Sequence, residues 1–124
     1  MASFEHLLQS RDVSDMLDEI ASAEPAAYLR RCFAEACSTP ALSPARIPEI
    51  ALCAMVLDAI LEERDYEVLE PELIADWRVH QAPAFRGLRE LALAALRRAA
   101  GELAATEPET AGELEELRRR LAPA

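Results

Sequence analysis

The hydrophobic positions of this chain recur every three or four residues, which is the spacing of one face of an α-helix. Strands are not predicted, because no stretch alternates regularly between apolar and polar residues. After a short opening turn near Leu7, one apolar stripe covers residues 13–20 and a second covers residues 28–36. The stripe residues are Val13, Met16, Leu17 and Ile20, then Tyr28, Leu29, Cys32, Phe33 and Ala36. The pattern therefore predicts helices from the start of the chain.

Prolines divide the rest of the chain into further helical segments. Three of them in residues 38–48 forbid a continuous helix, so this segment is predicted to be a Pro-rich loop. Pro71 is expected to begin one helix, because proline is well tolerated in a first helical turn. Pro83 is expected to precede the longest helix, over about residues 84–105, and a last helix should follow the break at Pro108.

These segments predict a single all-α domain, residues 1–124, folded as a compact bundle or array of five to six helices. A chain of 124 residues can bury one hydrophobic core and is too short for two typical domains. Residues 1–12 are expected to form a short N-terminal segment, and residues 38–48 the main loop.

The most apolar stretch is "RIPEIALCAMVLDAILEE", residues 46–63. It is broken at Asp58 and is shorter than the roughly 20 apolar residues that a membrane span needs. Apolar residues occupy nearly its whole helical circumference, which predicts the central helix of the bundle. Asp58 has two interpretations. It is a buried acid with a raised pKa, or, as we favour, a carboxylate at a helix–helix boundary, exposed or paired with an arginine. One turn later comes Glu62, and the two acids are expected to repel each other mildly.

The chain is strongly acidic, with 23 acidic against 13 basic residues and a net charge of −10. Every basic residue is an arginine. This charge argues against binding to nucleic acid or to an anionic membrane surface. It suits a basic protein partner, and it also serves solubility.

The cysteines indicate a reducing compartment. Cys32, Cys37 and Cys53 are odd in number, show no metal-type spacing and lie among apolar neighbours, as buried free thiols do. The first residues show no signal sequence. We therefore expect a cytoplasmic protein.

Motifs for catalysis or for a metal are missing from the sequence. Its two histidines, His6 and His80, are far apart, and no zinc-binding or nucleophile motif surrounds them, so we predict no cofactor and no enzyme. Two alternatives stay open. One is a hard-cation site built from Asp58, Glu62 and Glu63, and the other is a Cys53–His80 catalytic pair. Neither is favoured, because nothing in the sequence brings these groups together.

An acidic run between residues 58 and 76 is the strongest functional signal, since it contains a single basic residue, Arg64. Aromatic residues among carboxylates can anchor a basic partner while the charges steer it, and Tyr66 and Trp77 are the candidate anchors. The partner-binding residues that we predict are Glu62, Glu63, Asp65, Tyr66, Glu67, Glu70, Glu72 and Asp76. The alternative is a solvated turn in which Tyr66 packs on its own helices.

The order of the segments adds a resemblance. It is carried by "SDMLDEIASAEPAAYLRRCFAEA", "PEIALCAMVLDAIL", "LEPELIADWRVHQ", "LRELALAALRRA" and "ELEELRRRL". Over about residues 14–122 this order resembles a family of small bacterial helical proteins that is classed as a domain of unknown function. The resemblance implies an all-helical fold and a bacterial origin. It implies no activity and no catalytic residues.

Three function hypotheses follow. The first, which we favour, is a protein–protein interaction module, in concrete form a small inhibitor such as an immunity protein that binds a basic toxin. The second is a structural protein that self-associates through the Leu/Ala face of residues 88–103. The third is a small enzyme that uses Asp58 or Cys53.

Overall fold

The computed structural model describes residues 5–8 and 13–122. In these ranges the chain forms six α-helices and two short 3-10 helices and contains no strand, so the predicted all-α fold is confirmed. The 3-10 helices cover Glu5–Leu8 and Pro44–Arg46. The α-helices are α1 (Val13–Ser22), α2 (Pro25–Ser38), α3 (Ile47–Glu62), α4 (Pro71–Arg86), α5 (Arg89–Leu103) and α6 (Pro108–Leu121).

Three of the helices, α2, α4 and α6, begin in the same way, with a proline preceded by a glutamate. Proline suits this position because its fixed φ matches the helix and its missing N–H would have no partner there anyway. In each case the glutamate carbonyl accepts a hydrogen bond from the amide four residues later, and this bond closes the first turn. The bonds run from Tyr28 to Glu24 (2.9 Å), from Ile74 to Glu70 (3.1 Å) and from Ala111 to Glu107 (3.0 Å).

The central helix of the bundle is α3, as its apolar circumference predicted. All of its residues from Ile50 to Ile60 are buried, and the helix packs against α2, α4, α5, α6 and both 3-10 helices. Its N-terminal side is less irregular than expected, because residues 44–46 already form a 3-10 turn and α3 begins at Ile47. The irregular part of the predicted loop is thus limited to residues 39–43.

The prediction for Pro83 was wrong. Helix α4 continues through Pro83 to Arg86, and a turn at residues 87–88 separates it from α5, which begins at Arg89. A proline inside a helix costs the hydrogen bond to the carbonyl four residues earlier. Here that carbonyl belongs to Val79, which is exposed and can be hydrated, so the last turn tolerates the ring. No helix reaches from residue 84 to residue 105 as predicted.

Helix α5 lies between α2 and α6 and packs on both. Six of the seven residues in its predicted apolar face are buried within the single chain, namely Leu88, Ala92, Ala95, Leu96, Ala99 and Leu103, while Leu91 is half-buried. The face of residues 88–103 is therefore not free to bind a second copy, and the predicted self-association surface was wrong. No helix in the described part of the chain is both long enough and apolar enough to cross a membrane.

Candidate functional site

Asp58 is fully buried in α3, yet both of its oxygens have partners. Arg64 Nη1 donates to Asp58 Oδ1 at 2.6 Å, and the Tyr66 hydroxyl donates to Asp58 Oδ2 at 2.5 Å. Both donors lie in the connection that follows α3. The interpretation of Asp58 as a carboxylate paired with an arginine is confirmed, and the carboxylate is buried. Such pairing is what a buried carboxylate needs, because an unpaired charge inside a protein is very costly.

The C-terminal end of α6 completes this arrangement. Arg64 Nη1 also donates to the backbone carbonyl of Arg120 at 2.8 Å. The guanidinium of Arg120 lies over the ring of Tyr66, 5.9 Å from its centre, within the range of a cation–π contact. Burial and the neighbouring carboxylate of Asp58 raise the pKa of Tyr66, so its hydroxyl stays protonated and remains a donor. We call Asp58, Arg64, Tyr66 and Arg120 the Asp58 cluster.

The end of α3 is closed by a left-handed residue and by an arginine from α4. Glu63 follows the helix with φ 55° and ψ 31°, a conformation that glycine usually supplies. Arg78 donates to the carbonyls of Ala59 (2.6 Å) and Ile60 (3.3 Å), which have no partner within the helix. A positive group at a helix C-terminus also opposes the partial negative charge there. These contacts set the direction in which the chain leaves α3.

We call residues 62–76 the acidic segment. At its ends the predicted partner-binding residues are already paired: Glu62 with Arg89 at 3.2 Å, Glu63 with Arg78 at 3.8 Å, and Asp76 with His80 at 3.2 Å, the last being an ion pair only when the imidazole is protonated. The mild Asp58–Glu62 repulsion expected from sequence is thus offset, since each acid has an arginine of its own.

The middle of the acidic segment is different. Asp65, Glu67, Glu70 and Glu72 are exposed, and none of them forms an ion pair within the part of the chain that the structure describes. They lie along the connection and the first turn of α4, whose backbone is fixed at one end by the Asp58 cluster and at the other by the helix. Four carboxylates therefore face solvent without a counter-charge from the residues that the structure describes.

The aromatic anchors predicted from sequence are not free. Trp77 is only 4% exposed, because it shares the inner face of α4 with Ile74, so its prediction as a surface anchor was wrong. Tyr66 is half-buried, and its hydroxyl is bonded to Asp58. Both aromatic residues thus pack or hydrogen-bond inside the chain and help to fix the position of the acidic segment.

A small hollow opens beside the Asp58 cluster. It measures about 120 Å³, and Arg64, Tyr66 and Arg78 line it together with the apolar Leu69 and Ile74. This volume is below the roughly 300 Å³ at which small-molecule pockets begin. The hollow is better suited to one side chain of a bound protein than to a separate ligand.

The two alternative chemical sites do not form. In the described residues no three metal-binding side chains converge, and Asp58 is buried while Glu63 is 75% exposed, so the cation site that the sequence left open does not form there. The Cys53–His80 pair that the sequence also left open does not form, because Cys53 is fully buried and His80 lies on the surface beside Asp76.

The predicted burial of the cysteines is confirmed for two of the three thiols. Cys32 and Cys53 are buried, whereas Cys37 is partly exposed. A hydrogen bond with the neighbouring Cys32 thiol, together with burial, raises the pKa of Cys53. A thiol in this state is a poor nucleophile.

Some residues reach the site from distant parts of the chain and were not predicted from the sequence. Arg120 is 56 positions from Arg64, and nothing local to either residue signals the contact. On α6, i,i+3 pairs form between Glu115 and Arg118 and between Glu116 and Arg119, which leaves Arg120 directed at Tyr66. No protein-family model, curated protein or solved structure matches this chain.

Proposed function

We propose that this protein is a protein–protein interaction module that binds a basic partner through its acidic segment. The observation that carries the proposal is the group of four exposed carboxylates, Asp65, Glu67, Glu70 and Glu72, which have no counter-charge among the described residues. A basic surface brought against them would form ion pairs that are absent among residues 5–8 and 13–122. The net charge of −10 would also steer a basic protein toward this surface from a distance.

The Asp58 cluster supports the proposal because it orders the segment before any partner arrives. Binding to a flexible loop costs free energy for each side chain and backbone unit that becomes fixed. Here hydrogen bonds from Arg64 and Tyr66 to Asp58 already attach the segment to α3, and a hydrogen bond from Arg64 to the Arg120 carbonyl attaches it to α6. The small hollow between Arg64 and Arg78 adds a shaped recess, in which one side chain of the partner would fit.

In its concrete form the proposal is a small inhibitor, such as an immunity protein that binds a basic toxin in a bacterial cytoplasm. The strong negative charge and the all-helical fold support this form. An inhibitor of this kind needs a rigid surface and no catalytic groups. The fully buried and saturated Asp58 fits a supporting role in such a surface.

The test is a charge-neutral variant of the acidic segment, with Asp65→Asn, Glu67→Gln and Glu70→Gln combined. Tagged wild-type protein and the variant are each used to isolate bound proteins from cells of the source organism. We expect a basic protein to be retained by the wild type and released at about 1 M salt, where the Debye length is only about 3 Å. With the isolated partner, calorimetry should show binding weakened about tenfold or more, since three exposed ion pairs contribute roughly 0.5 kcal/mol each.

The matched control removes three exposed acids elsewhere, with Asp18→Asn, Glu90→Gln and Glu107→Gln combined. Glu107 corresponds to Glu70, because each precedes the first proline of a helix. Both triple variants carry the same net charge, so only the location of the lost charges differs. Equal binding by the two variants, or a wild type that retains no basic protein, would show the proposal to be wrong.

A further inference from the structure

The outward face of α4 carries an exposed apolar stripe. Val79 is 76% exposed, unlike any other large hydrophobic residue in the described part of the chain. One turn before it lies Ala75 and one turn after it Pro83, and both are exposed. With a rise of about 1.5 Å per residue, the three side chains span about 12 Å along the helix. A single exposed valine is ordinary, but here three exposed apolar side chains lie one above the other along one helix.

Charged residues flank this stripe symmetrically. Glu72 lies seven residues before Val79, and Arg86 lies seven residues after it. Seven residues are close to two full turns, so both lie within about 20° of Val79 around the helix axis. Both are exposed, and neither forms an ion pair within residues 5–8 and 13–122. The face therefore has an unpaired acid near one end, an unpaired base at the other and an apolar centre.

We propose that this face binds a second copy of the chain, with the two α4 helices antiparallel. A two-fold axis through the level of Val79 places Val79 against the partner's Val79 and Ala75 against the partner's Pro83. The same axis places Glu72 against the partner's Arg86, twice in each dimer. This is the isologous arrangement of a two-fold dimer, in which one patch is complementary to itself.

The charges decide the orientation and the occupant. A parallel arrangement would bring Glu72 against Glu72 and Arg86 against Arg86, which is unfavourable. An antiparallel arrangement also opposes the two helix dipoles favourably. A uniformly basic segment would leave Arg86 facing a like charge, so a second copy of α4 fits this face better. This dimer goes beyond the proposed function. Glu72 belongs to both surfaces, whereas Val79 and Arg86 belong only to this face, and Glu72 is unchanged in the variant that tests the proposed function.

The rest of the fold leaves this face free for the purpose. The inner side of α4 packs mainly on α3, through Ile74 and Trp77, so the helix is held firmly while its outer side is uncovered. The patch is small, and small interfaces belong to weak and transient complexes. We therefore expect a dimer with a Kd below about 1 mM and well above the nanomolar range.

The first experiment is sedimentation equilibrium of the full chain, from low micromolar to about 1 mM. Wild type should shift from monomer to dimer over this range. Val79→Asp places two carboxylates against each other on the two-fold axis and should leave a monomer throughout. Because Val79 is 76% exposed, the variant should unfold at the same urea concentration as wild type, which separates lost pairing from lost folding.

A charge exchange tests the orientation. Glu72→Arg alone and Arg86→Glu alone each create two like-charge contacts, and each should weaken the dimer by about tenfold. The double variant Glu72→Arg with Arg86→Glu restores opposite charges and should return to within about threefold of wild type. The controls Glu109→Arg and Arg97→Glu make the same changes in net charge at exposed sites on α6 and α5.

Each other outcome would overturn the inference. A chain that remains monomeric at about 1 mM does not use this face. A dimer that survives Val79→Asp uses another surface. A double variant that dimerises no more tightly than the single variants rules out the antiparallel pairing. If the controls weaken the dimer as much as the single variants do, the effect comes from net charge. None of these results bears on the binding of a basic partner, which is measured separately.

Discussion

Replacement of Asp58 by asparagine removes the charge from the centre of the Asp58 cluster and keeps the shape of the side chain. The carboxylate accepts from both Arg64 and Tyr66, and hydrogen bonds to charged groups contribute about 1.5–3 kcal/mol each. Asparagine has only one acceptor oxygen. It can accept from Arg64 and donate to the Tyr66 hydroxyl, so one bond is weakened and the other must reverse its direction.

We expect Asp58→Asn to lower the free energy of unfolding by about 2–3 kcal/mol. The larger loss of about 3–5 kcal/mol, typical when a buried charge is left alone, does not apply. Arg64 is 40% exposed and keeps its hydrogen bond to the Arg120 carbonyl, so its guanidinium charge remains solvated after Asp58 is neutralised. Tyr66→Phe should cost about 1.5–3 kcal/mol by the same reasoning.

The assay is urea unfolding at neutral pH, followed by circular dichroism and by the fluorescence of Trp77. This residue is the single tryptophan of the chain and is only 4% exposed, so its emission reports the packing of α4. The double variant completes a thermodynamic cycle. If Asp58 and Tyr66 interact directly, their combined loss should be smaller than the sum of the two single losses by about 1 kcal/mol.

Glu62→Gln is the matched control. It makes the same chemical change one turn further along α3, where Glu62 is 34% exposed and pairs with Arg89. An exposed ion pair contributes about 0–1 kcal/mol, so this variant should lose much less than Asp58→Asn. If both variants lose the same small amount, or if the losses at Asp58 and Tyr66 simply add, the cluster does not hold the structure as we describe.

Two further predictions concern the end of α3 and the response to alkali. Glu63→Gly should raise the free energy of unfolding by about 0.5–1 kcal/mol in urea titrations, because glycine adopts φ 55° without strain. Little is lost in exchange, since the 3.8 Å contact of Glu63 with Arg78 is exposed and weak. Glu62→Gly, inside the helix, should instead lower the free energy of unfolding. Burial is the main cause of the raised pKa of both Tyr28 and Tyr66, so above the ordinary tyrosine value of 10.0 the unfolded chain releases protons that the folded chain retains. The contribution of these two tyrosines to the free energy of unfolding should therefore be fully present below pH 10 and should be lost as the pH rises above 10. When both are replaced by phenylalanine, the free energy of unfolding should fall less steeply with pH in this range.

The helices were predictable because they depend on local spacing. The apolar circumference of residues 46–63 identified α3 as the central helix, and the prolines at positions 25, 71 and 108 marked three helix starts. Pro83 misled the prediction because its effect depends on the exposure of Val79, which is a tertiary property. For the same reason the apolar face of α5 could not be assigned: a stripe that packs on α2 and α6 has the same sequence pattern as one that binds a second copy.

For the candidate site, the sequence gives residue types and the fold decides their roles. Exposure of the four unpaired acids follows from their charge and was expected. The pairing of Asp58 with an arginine was also expected, because a buried carboxylate requires a partner. The contribution of Arg120 was not, since contacts between residues 56 positions apart depend on how helices pack and have no local signature.

The contact between the acidic segment and α6 has a consequence for the order of events during synthesis. Residue 76 is made about 45 residues before Leu121, which corresponds to about 2–9 s of translation. During this interval Asp58 is present, but the carbonyl and guanidinium of Arg120 are not. Arg64 and Tyr66 then have only one of their two points of attachment. We expect the nascent acidic segment to remain mobile until α6 has been made and has docked, so that the surface proposed for a partner takes its final form only after residue 121 is in place.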